Sequence, residues 1–231
     1  MSLDDPSKQR AWKEHYERLL NVEFPWNPED LSDELPVEGP AVPVTEEMIS
    51  KAIDKMKFGK AAGPSGIVAE MLKSAGDTGV AIMRNLVESI IREGRIPTDW
   101  EESHIVSLYK GKGEALDRGN YRGLKLLDQA MKVLERVMDN LIRERVSIDE
   151  MQFGFMPGRG TTDAIFIVRQ MQEKYLTANK TLYMAFIDLE KAFDRVPREV
   201  IWWSLRKLGV DEWLVRLVQS MYANVHSRAR V

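Results

Sequence analysis

The chain of 231 residues contains no cysteine, and this absence excludes a disulfide framework and any metal site built on thiolates. Its only histidines, His15, His104 and His226, are far apart in sequence, so a zinc site is not expected. No apolar run reaches the length of a membrane span and no signal peptide precedes the chain, so we expect no membrane association. The lack of cysteine leaves the compartment open and favours an intracellular location, cytoplasmic or nuclear.

Positive charge is scarce at the start of the chain. Residues 1–50 have a charge balance of −8, whereas residues 51–231 have a balance of +5. A mildly basic remainder is compatible with nucleic-acid binding, which depends on where the cations cluster, and equally with an ordinary solvated surface. The overall composition, 44% hydrophobic and 30% charged, is that of an ordinary globular protein.

Local patterns predict an α+β chain made mostly of helices. Apolar stripes and caps predict helices over residues 7–20, 45–56, 67–74, 78–93, 127–145, 161–178, 197–208 and 211–223. Apolar, β-branched and aromatic runs predict strands over residues 104–110 and 181–187, with a third beginning near residue 227. The acidic, proline-rich residues 22–44 predict an extended linker that wraps or tethers the first helix.

The stretch from residue 181 to residue 196 most needs a chemical explanation. Its apolar and aromatic run predicts a buried strand, and that strand ends at Asp188. A carboxylate in such a place is costly unless it is paired, hydrogen-bonded or bound to a cation. Spacing alone leaves two interpretations open: Asp188 caps the helix that follows, or it is a metal ligand.

Three loops combine glycine with basic residues. Residues 57–66 could bind phosphate, but they lack the spacing of a Walker A loop, and a plain connection between helices is favoured. Residues 110–122 predict a hairpin with cations near its tip, although most such turns are simply solvated. Arg159 comes just before a predicted helix, where free N–H groups and a guanidinium can bind phosphate together.

Taken in order, these motifs resemble those of the reverse transcriptases of non-LTR (LINE-type) retrotransposons, over nearly the whole chain. The matching segments are a Trp-containing helix at 12–20, then residues 60–66, 97–100, 109–113, 120–123, 152–162 and 186–196. The resemblance implies a right-hand polymerase: residues 1–44 as an N-terminal helix and acidic proline-rich linker, 45–180 as mostly helical fingers, and 181–231 as an incomplete palm. It implies an RNA template, a DNA primer and deoxynucleoside triphosphates as partners.

The resemblance also implies roles for single residues. Asp188 matches a catalytic aspartate that binds two Mg²⁺ ions, and the backbone carbonyl of Leu189 would bind one of them. Phe193 matches the steric gate that excludes a ribose 2′-hydroxyl. Lys110 and Arg122 match the cations that bind the incoming triphosphate.

Template contacts and a structural residue complete the implied roles. The family pattern assigns Lys60, Lys112 and Arg159 to the template. Asp194 belongs to the same pattern, and we expect it to be structural, anchoring the turn or helix that follows.

The sequence departs from the family pattern at two points. Ser65 stands where the family usually has Asp, and no Tyr/Phe-x-Asp-Asp motif follows Asp188, so the second pair of catalytic aspartates is absent. We therefore expect that this chain alone does not polymerise, and that it is a fragment lacking the thumb or a decayed and reused copy. An unpaired edge of the strand at 181–187 would invite self-association.

Two other functions stay open. The first is a non-catalytic nucleic-acid-binding or interaction module that keeps the polymerase fold and its cations. The second is an unrelated Mg²⁺-dependent phosphohydrolase built on Asp188. It is less well supported, because its aspartate would be expected after the first strand of a parallel sheet and Asp188 comes late in the chain.

Overall fold

The computed structural model describes residues 6–22, 24–189 and 191–230, and these form an α+β fold. The helices are α1 (Pro6–Leu20), α2 (Glu46–Asp54), α3 (Ala69–Ser74), α4 (Gly76–Glu93), α5 (Gln129–Arg143), α6 (Thr161–Thr177), α7 (Ala192–Arg195), α8 (Arg198–Lys207) and α9 (Glu212–Ser220). The strands are β1 (Glu102–Tyr109), β2 (Tyr121–Leu126) and β3 (His226–Arg230). Short 3₁₀ turns occupy Pro28–Asp30, Thr98–Trp100 and Arg118–Asn120. The predicted mixture of helices and a few strands is confirmed.

The chain divides into two compact units. The first combines Met1–Val146 with Phe193–Val231, and the second is Ser147–Ala192. The second unit is therefore inserted into the sequence of the first, and the boundary falls within α7.

Local sequence signals set the ends of the helices in the first unit. The Thr45 hydroxyl oxygen accepts a hydrogen bond from the Met48 N–H at 3.2 Å, which caps α2. Glu46 and Glu47 lie in the first turn of α2, where carboxylates interact favourably with the helix dipole. Helix α4 ends at Gly94, whose φ of +66° is the left-handed conformation that glycine adopts without strain.

A helical core holds the first unit together. Helices α2, α4, α5, α8 and α9 each bury apolar side chains in it. The core side chains that are almost fully buried are those of Ile49, Val87, Val133, Leu134, Val137, Val210, Leu214, Val215 and Leu217. Each such Leu, Ile or Val side chain contributes about 1.5–3 kcal/mol of hydrophobic free energy.

A three-stranded sheet of order β2-β1-β3 lies in the same unit. Strands β1 and β2 form the predicted antiparallel hairpin, and β3 pairs parallel with β1. Helix α1 contacts this sheet: the Tyr16 hydroxyl lies 2.8 Å from the Ser107 hydroxyl, and Trp12 packs edge-on against Tyr121. A Cβ on Gly123 would lie 2.9 Å from the Tyr16 ring, so glycine permits this close approach.

Residues 31–44, which we name the strap, connect α1 to α2 by way of α8 and α9. The Trp203 indole N–H donates to the Ser32 carbonyl at 2.8 Å, and the Glu34 carboxylate pairs with Lys207 at 3.0 Å. Val37 then forms an isolated parallel bridge with Asp211. The strap is therefore an extended segment that is attached along its length to the helical part of the first unit.

The second unit contains one long helix, α6, and buries none of its described side chains. The predicted buried strand at 181–187 is wrong: residues 181–189 have no regular structure, and Phe186 and Ile187 are more than 80% exposed. A strand needs a neighbour to satisfy its backbone groups, and no other described segment pairs with these residues.

Among the helices that the structure describes, none is both long and apolar enough to cross a membrane.

Candidate functional site

Two of the expected nucleotide-binding cations share one face of the β1–β2 hairpin. Directly paired residues point to the same side of a sheet, and Arg122 pairs with Leu108. Lys110 lies two residues beyond Leu108 and continues the ladder, its N–H donating to the Asn120 carbonyl at 2.9 Å. The Lys110 ammonium also donates to the Gly119 carbonyl at 2.8 Å. The structure therefore brings Lys110 and Arg122 together on an exposed surface.

The tip of this hairpin is ordered by its own hydrogen bonds. The Tyr109 hydroxyl donates to the Gly113 carbonyl at 2.5 Å, and the Tyr121 hydroxyl donates to the Ala115 carbonyl at 2.9 Å. Lys112 lies at this tip and is exposed. The lysine expected to contact the template is thus presented by an ordered turn.

The loop of residues 57–66 is fixed to the start of α5 by a buried carboxylate. The Ser65 N–H donates to Asp128 Oδ2 at 3.3 Å and the Ser65 hydroxyl donates to Asp128 Oδ1. Asp128 is 1% exposed. A Cβ on Gly63 would lie 2.6 Å from backbone atoms of residues 127 and 128, so the loop backbone packs closely against this point. The loop is thus a built element, and it presents an exposed Lys60.

This role of Asp128 was not predicted from the sequence. An aspartate just before a helix is usually an N-cap, yet the Asp128 side chain makes no capping hydrogen bond to α5. No local pattern in the sequence indicates this contact, because it joins residues 63 positions apart.

Arg159 lies in the loop before α6, in the second unit. Its guanidinium donates to the Glu150 carbonyl, which orients the side chain within its own loop. The Gly160 N–H donates to the Asp163 carboxylate at 2.7 Å, so one of the free N–H groups at the start of α6 is already satisfied. An anion at this helix terminus would therefore meet a carboxylate as well as an arginine.

The residues expected around the metal are exposed and belong to different units. Asp188 and Leu189 lie in the second unit, whereas Phe193 lies in the first. Because Asp188 is neither buried nor at the end of a strand, the burial cost inferred from the sequence does not apply here. Its assignment as a metal ligand therefore rests on the family resemblance.

The donor set does not complete a metal site. Within residues 6–22, 24–189 and 191–230, no group of three or more His, Asp or Glu side chains is placed to hold a metal ion. Carboxylate and carbonyl oxygens are of the type that Mg²⁺ prefers, but one carboxylate does not neutralise two divalent ions. The chemistry of a two-metal centre therefore cannot be assigned to these residues alone.

A cleft of about 1430 Å³ opens in the first unit among α1, the sheet, α5 and α8. Its wall includes Phe193 and a cluster of Lys125, Glu135 and Arg198. Burial raises the pKa of Glu135 above its ordinary value. Desolvation, reinforced by the charge of Arg198, lowers the pKa of Lys125.

Comparison with known proteins gives a family match over residues 110–231. The matching family is described as reverse transcriptase (RNA-dependent DNA polymerase). The match covers just over half of the chain and includes Lys110, Arg122, Arg159, Asp188 and Phe193.

Individual relatives are longer proteins. The chain is 30% identical to the Retrovirus-related Pol polyprotein from type-1 retrotransposable element R1 of Bradysia coprophila, over 87% of this chain and 20% of the relative. It is 28% identical to the RNA-directed DNA polymerase from mobile element jockey of Drosophila funebris, over 79% of this chain and 20% of the relative. It is 26% identical to the Retrovirus-related Pol polyprotein from type-1 retrotransposable element R2 of Nasonia vitripennis, over 74% and 16%.

The chain thus spans about a fifth of the length of the curated relatives that it matches. The matched family and the names of these relatives agree with the resemblance carried by the order of the motifs. The chain belongs to the reverse transcriptase (RNA-dependent DNA polymerase) family, in the group found in non-LTR (LINE-type) retrotransposons.

Proposed function

We propose that this chain supplies the fingers and the first part of the palm of an RNA-directed DNA polymerase. The observation that carries the proposal is the match to the reverse transcriptase family over residues 110–231. In this proposal residues 1–44 form the N-terminal helix and linker, 45–180 the fingers, and 181–231 the beginning of the palm. The partners are an RNA template, a DNA primer and deoxynucleoside triphosphates.

The incoming nucleotide binds at the hairpin face in this proposal. Lys110 and Arg122 lie on the same exposed face, and neither takes part in an ion pair in the described part of the chain. Cations without acidic partners are suited to a triphosphate, which the Arg122 guanidinium can bind in a bidentate manner. Phe193, which is 85% exposed, would contact the sugar and exclude a 2′-hydroxyl.

Asp188 and the Leu189 carbonyl contribute ligands to a Mg²⁺ site in this proposal. Mg²⁺ keeps several waters and is often bound through one or two carboxylates together with substrate phosphates. The 231 residues provide no Asp-Asp pair after Asp188, so we expect no nucleotide incorporation by this chain alone.

The metal-ligand role is tested in a version of the chain extended through a Tyr/Phe-x-Asp-Asp hairpin from a related polymerase. We expect that protein to incorporate deoxynucleotides with Mg²⁺ and Asp188→Ala to abolish the activity. Asp77→Ala is the matched control, because Asp77 is an exposed carboxylate on α4, and it should keep full activity. Retained activity in Asp188→Ala would contradict the assignment.

The template is bound by Lys60, Lys112 and Arg159 in this proposal. Binding through phosphates releases counterions, so affinity for an RNA–DNA primer–template should fall with salt, with a log–log slope of about −2 to −3 for three contacts. Lys112→Ser should reduce this slope by about 1. Lys51→Ser, which removes an exposed lysine already paired with Glu47 at 2.6 Å, should leave it unchanged. An affinity that does not depend on salt would contradict nucleic-acid binding.

A second candidate function is favoured by the exposed Lys110 and Arg122, which form no ion pair in the described part of the chain. This function is that of a non-catalytic nucleic-acid-binding or interaction module, which would use these exposed cations. The extended protein described above separates the two functions. If it binds primer–template as tightly as the original chain but incorporates no nucleotide, the binding module is favoured.

We also propose self-association through residues 181–187, because Phe186 and Ile187 present large apolar surfaces to solvent. Sedimentation velocity should detect oligomers that disappear in a Phe186→Ser, Ile187→Ser variant. A monomer at all concentrations would contradict this proposal.

An intracellular location, cytoplasmic or nuclear, is part of the proposed polymerase function, because the template and deoxynucleotides are found there.

A further inference from the structure

Phe58 is an exposed aromatic side chain on a loop that is otherwise tightly held. The residue is 65% exposed and lies between α2 and α3. Burying a phenylalanine side chain would contribute about 1.5–3 kcal/mol, so leaving it in solvent forgoes a stabilising contribution. The ring lies outside the core formed by the described residues of the first unit.

The backbone that follows Phe58 is fixed by hydrogen bonds. The Gly59 N–H donates to the Glu70 carboxylate at 2.6 Å, and this hydrogen bond lowers the pKa of Glu70. Gly59 has a φ of +68°, a left-handed conformation that permits the turn after Phe58. Further along, Ser65 is bound to the buried Asp128. The ring is therefore presented by a loop with little freedom to retract.

One face of the ring is covered by a cation. The Lys73 ammonium lies 4.9 Å from the ring centroid, and it is held there by donating to the Asp54 carbonyl at 2.8 Å. A lysine in this geometry is attracted to the ring and also adds positive charge beside its open face.

Two more cations flank the ring in sequence. Lys57 and Lys60 are exposed, and neither forms an ion pair in the part of the chain that the structure describes. One lysine over an exposed aromatic ring and two lysines beside it in sequence match the pattern by which proteins bind single-stranded nucleic acid: cations along the phosphates and a ring on which a base stacks.

We propose that Phe58 is a stacking platform for one base of a single-stranded nucleic acid, with Lys57 and Lys60 on the adjoining phosphates. This inference rests on the proposed function, because it assumes that the chain binds nucleic acid. The inference goes beyond the proposed function because it assigns a contact with a base to an uncharged side chain. Such a stacking contact is tolerant of nucleotide sequence.

The test compares two labelled 12-mers of equal charge by fluorescence anisotropy: oligo(rA) and an abasic oligomer. Phe58→Ala should weaken oligo(rA) binding by about 5- to 150-fold, the range for losing one base stack, and leave abasic binding within about twofold. Phe58→Trp should restore oligo(rA) binding. Ile82→Ala, which removes an exposed apolar side chain from α4, should change neither affinity.

The outcomes separate this inference from the proposed function. Equal loss on both oligomers in Phe58→Ala would assign the effect to loop structure and overturn the stacking role. Unchanged binding of both would overturn it as well, while the proposed function would stand. If the unmodified chain binds neither oligomer at low salt, both the stacking role of Phe58 and the proposed function are contradicted. A Lys57→Ser, Lys60→Ser variant should weaken both oligomers and lower the salt slope.

Discussion

The bond between Ser65 and Asp128 should be worth a measurable part of the stability of the first unit. Asp128 is 1% exposed, and the hydrogen bonds described for its carboxylate both come from Ser65. Hydrogen bonds to charged groups contribute about 1.5–3 kcal/mol, and Ser65→Ala removes one while keeping the N–H donor. We expect the free energy of unfolding to fall by that amount in urea titrations.

A double-mutant cycle isolates this interaction from other effects of the substitutions. Asp128→Ala removes both carboxylate oxygens, which accept the hydrogen bonds from Ser65. Because each single substitution breaks the same bond, the double variant should be less destabilised than the sum of the two, with a coupling of about 1–2 kcal/mol. Ser74→Ala is the matched control, since the exposed Ser74 hydroxyl only donates to the Met71 carbonyl.

The same variants should act on function through the loop. Losing the anchor frees residues 57–66, so binding of single-stranded oligonucleotide should weaken together with stability. A coupling below about 0.5 kcal/mol, the level seen between independent sites, would refute the anchoring role of Asp128. If the coupling between Ser65 and Asp128 is about 1–2 kcal/mol but the affinity for nucleic acid is unchanged, the link between this hydrogen bond and nucleic-acid binding is refuted.

Three further stability predictions concern the first unit. The Arg206 guanidinium, bound to Glu212 through two hydrogen bonds of 2.8 Å, lowers the pKa of Glu212 below its ordinary value. Glu212→Gln should therefore cost about 1.5–3 kcal/mol at neutral pH, and the difference from the unsubstituted chain should disappear as pH falls through the lowered pKa. Burial raises the pKa of Glu135, because the ionised carboxylate is disfavoured there. Glu135→Gln should therefore stabilise the chain at neutral pH, and the gain should vanish at acidic pH, where the carboxyl group is protonated in both the folded and the unfolded state. Leu134→Ala should cost about 2–5 kcal/mol at any pH, because Leu134 is fully buried.

Urea titrations at several pH values check all three. Glu93→Gln is the control for Glu212→Gln, since Glu93 is an exposed residue whose carboxylate lies 3.5 Å from an exposed Arg95. A Glu212→Gln difference that persists unchanged at a pH of about 2–3 would contradict the pairing as its cause. Glu135→Gln that destabilises at neutral pH would contradict the burial argument, and a Leu134→Ala cost below about 1 kcal/mol would contradict its place in the core.

The helices were predictable from the sequence where apolar residues recur with the period of an α-helix and a cap marks the end. The apolar stripe and the Thr45 cap define α2, and Gly94 defines the end of α4, because each signal acts within one or two turns. The β1–β2 hairpin was also predictable, since it is formed by neighbours in sequence. The failure at 181–187 has the opposite cause: a strand depends on a partner that local sequence does not reveal.

Around the candidate site, the local geometry of the hairpin was predictable from the sequence, whereas contacts between distant residues were not. Lys110 and Arg122 share a face because of a register that the hairpin fixes locally. The anchoring of Ser65 by Asp128 joins residues 63 positions apart, and no periodicity reports such a contact. For Asp188, the chemical interpretation comes from the order of the motifs, whereas the burial inferred from its neighbours is wrong.

The strap has a consequence for folding during synthesis on the ribosome. Asp211, the bridge partner of Val37, is synthesised long after Val37. Trp203, which donates to the Ser32 carbonyl, is likewise synthesised long after Ser32. At roughly 5–20 residues per second, a ribosome needs about 10–35 s to synthesise the intervening chain. During that interval the acidic strap is exposed without its partners on α8 and at the start of α9. Nascent chains should therefore be sensitive to protease within the strap until α9 has emerged.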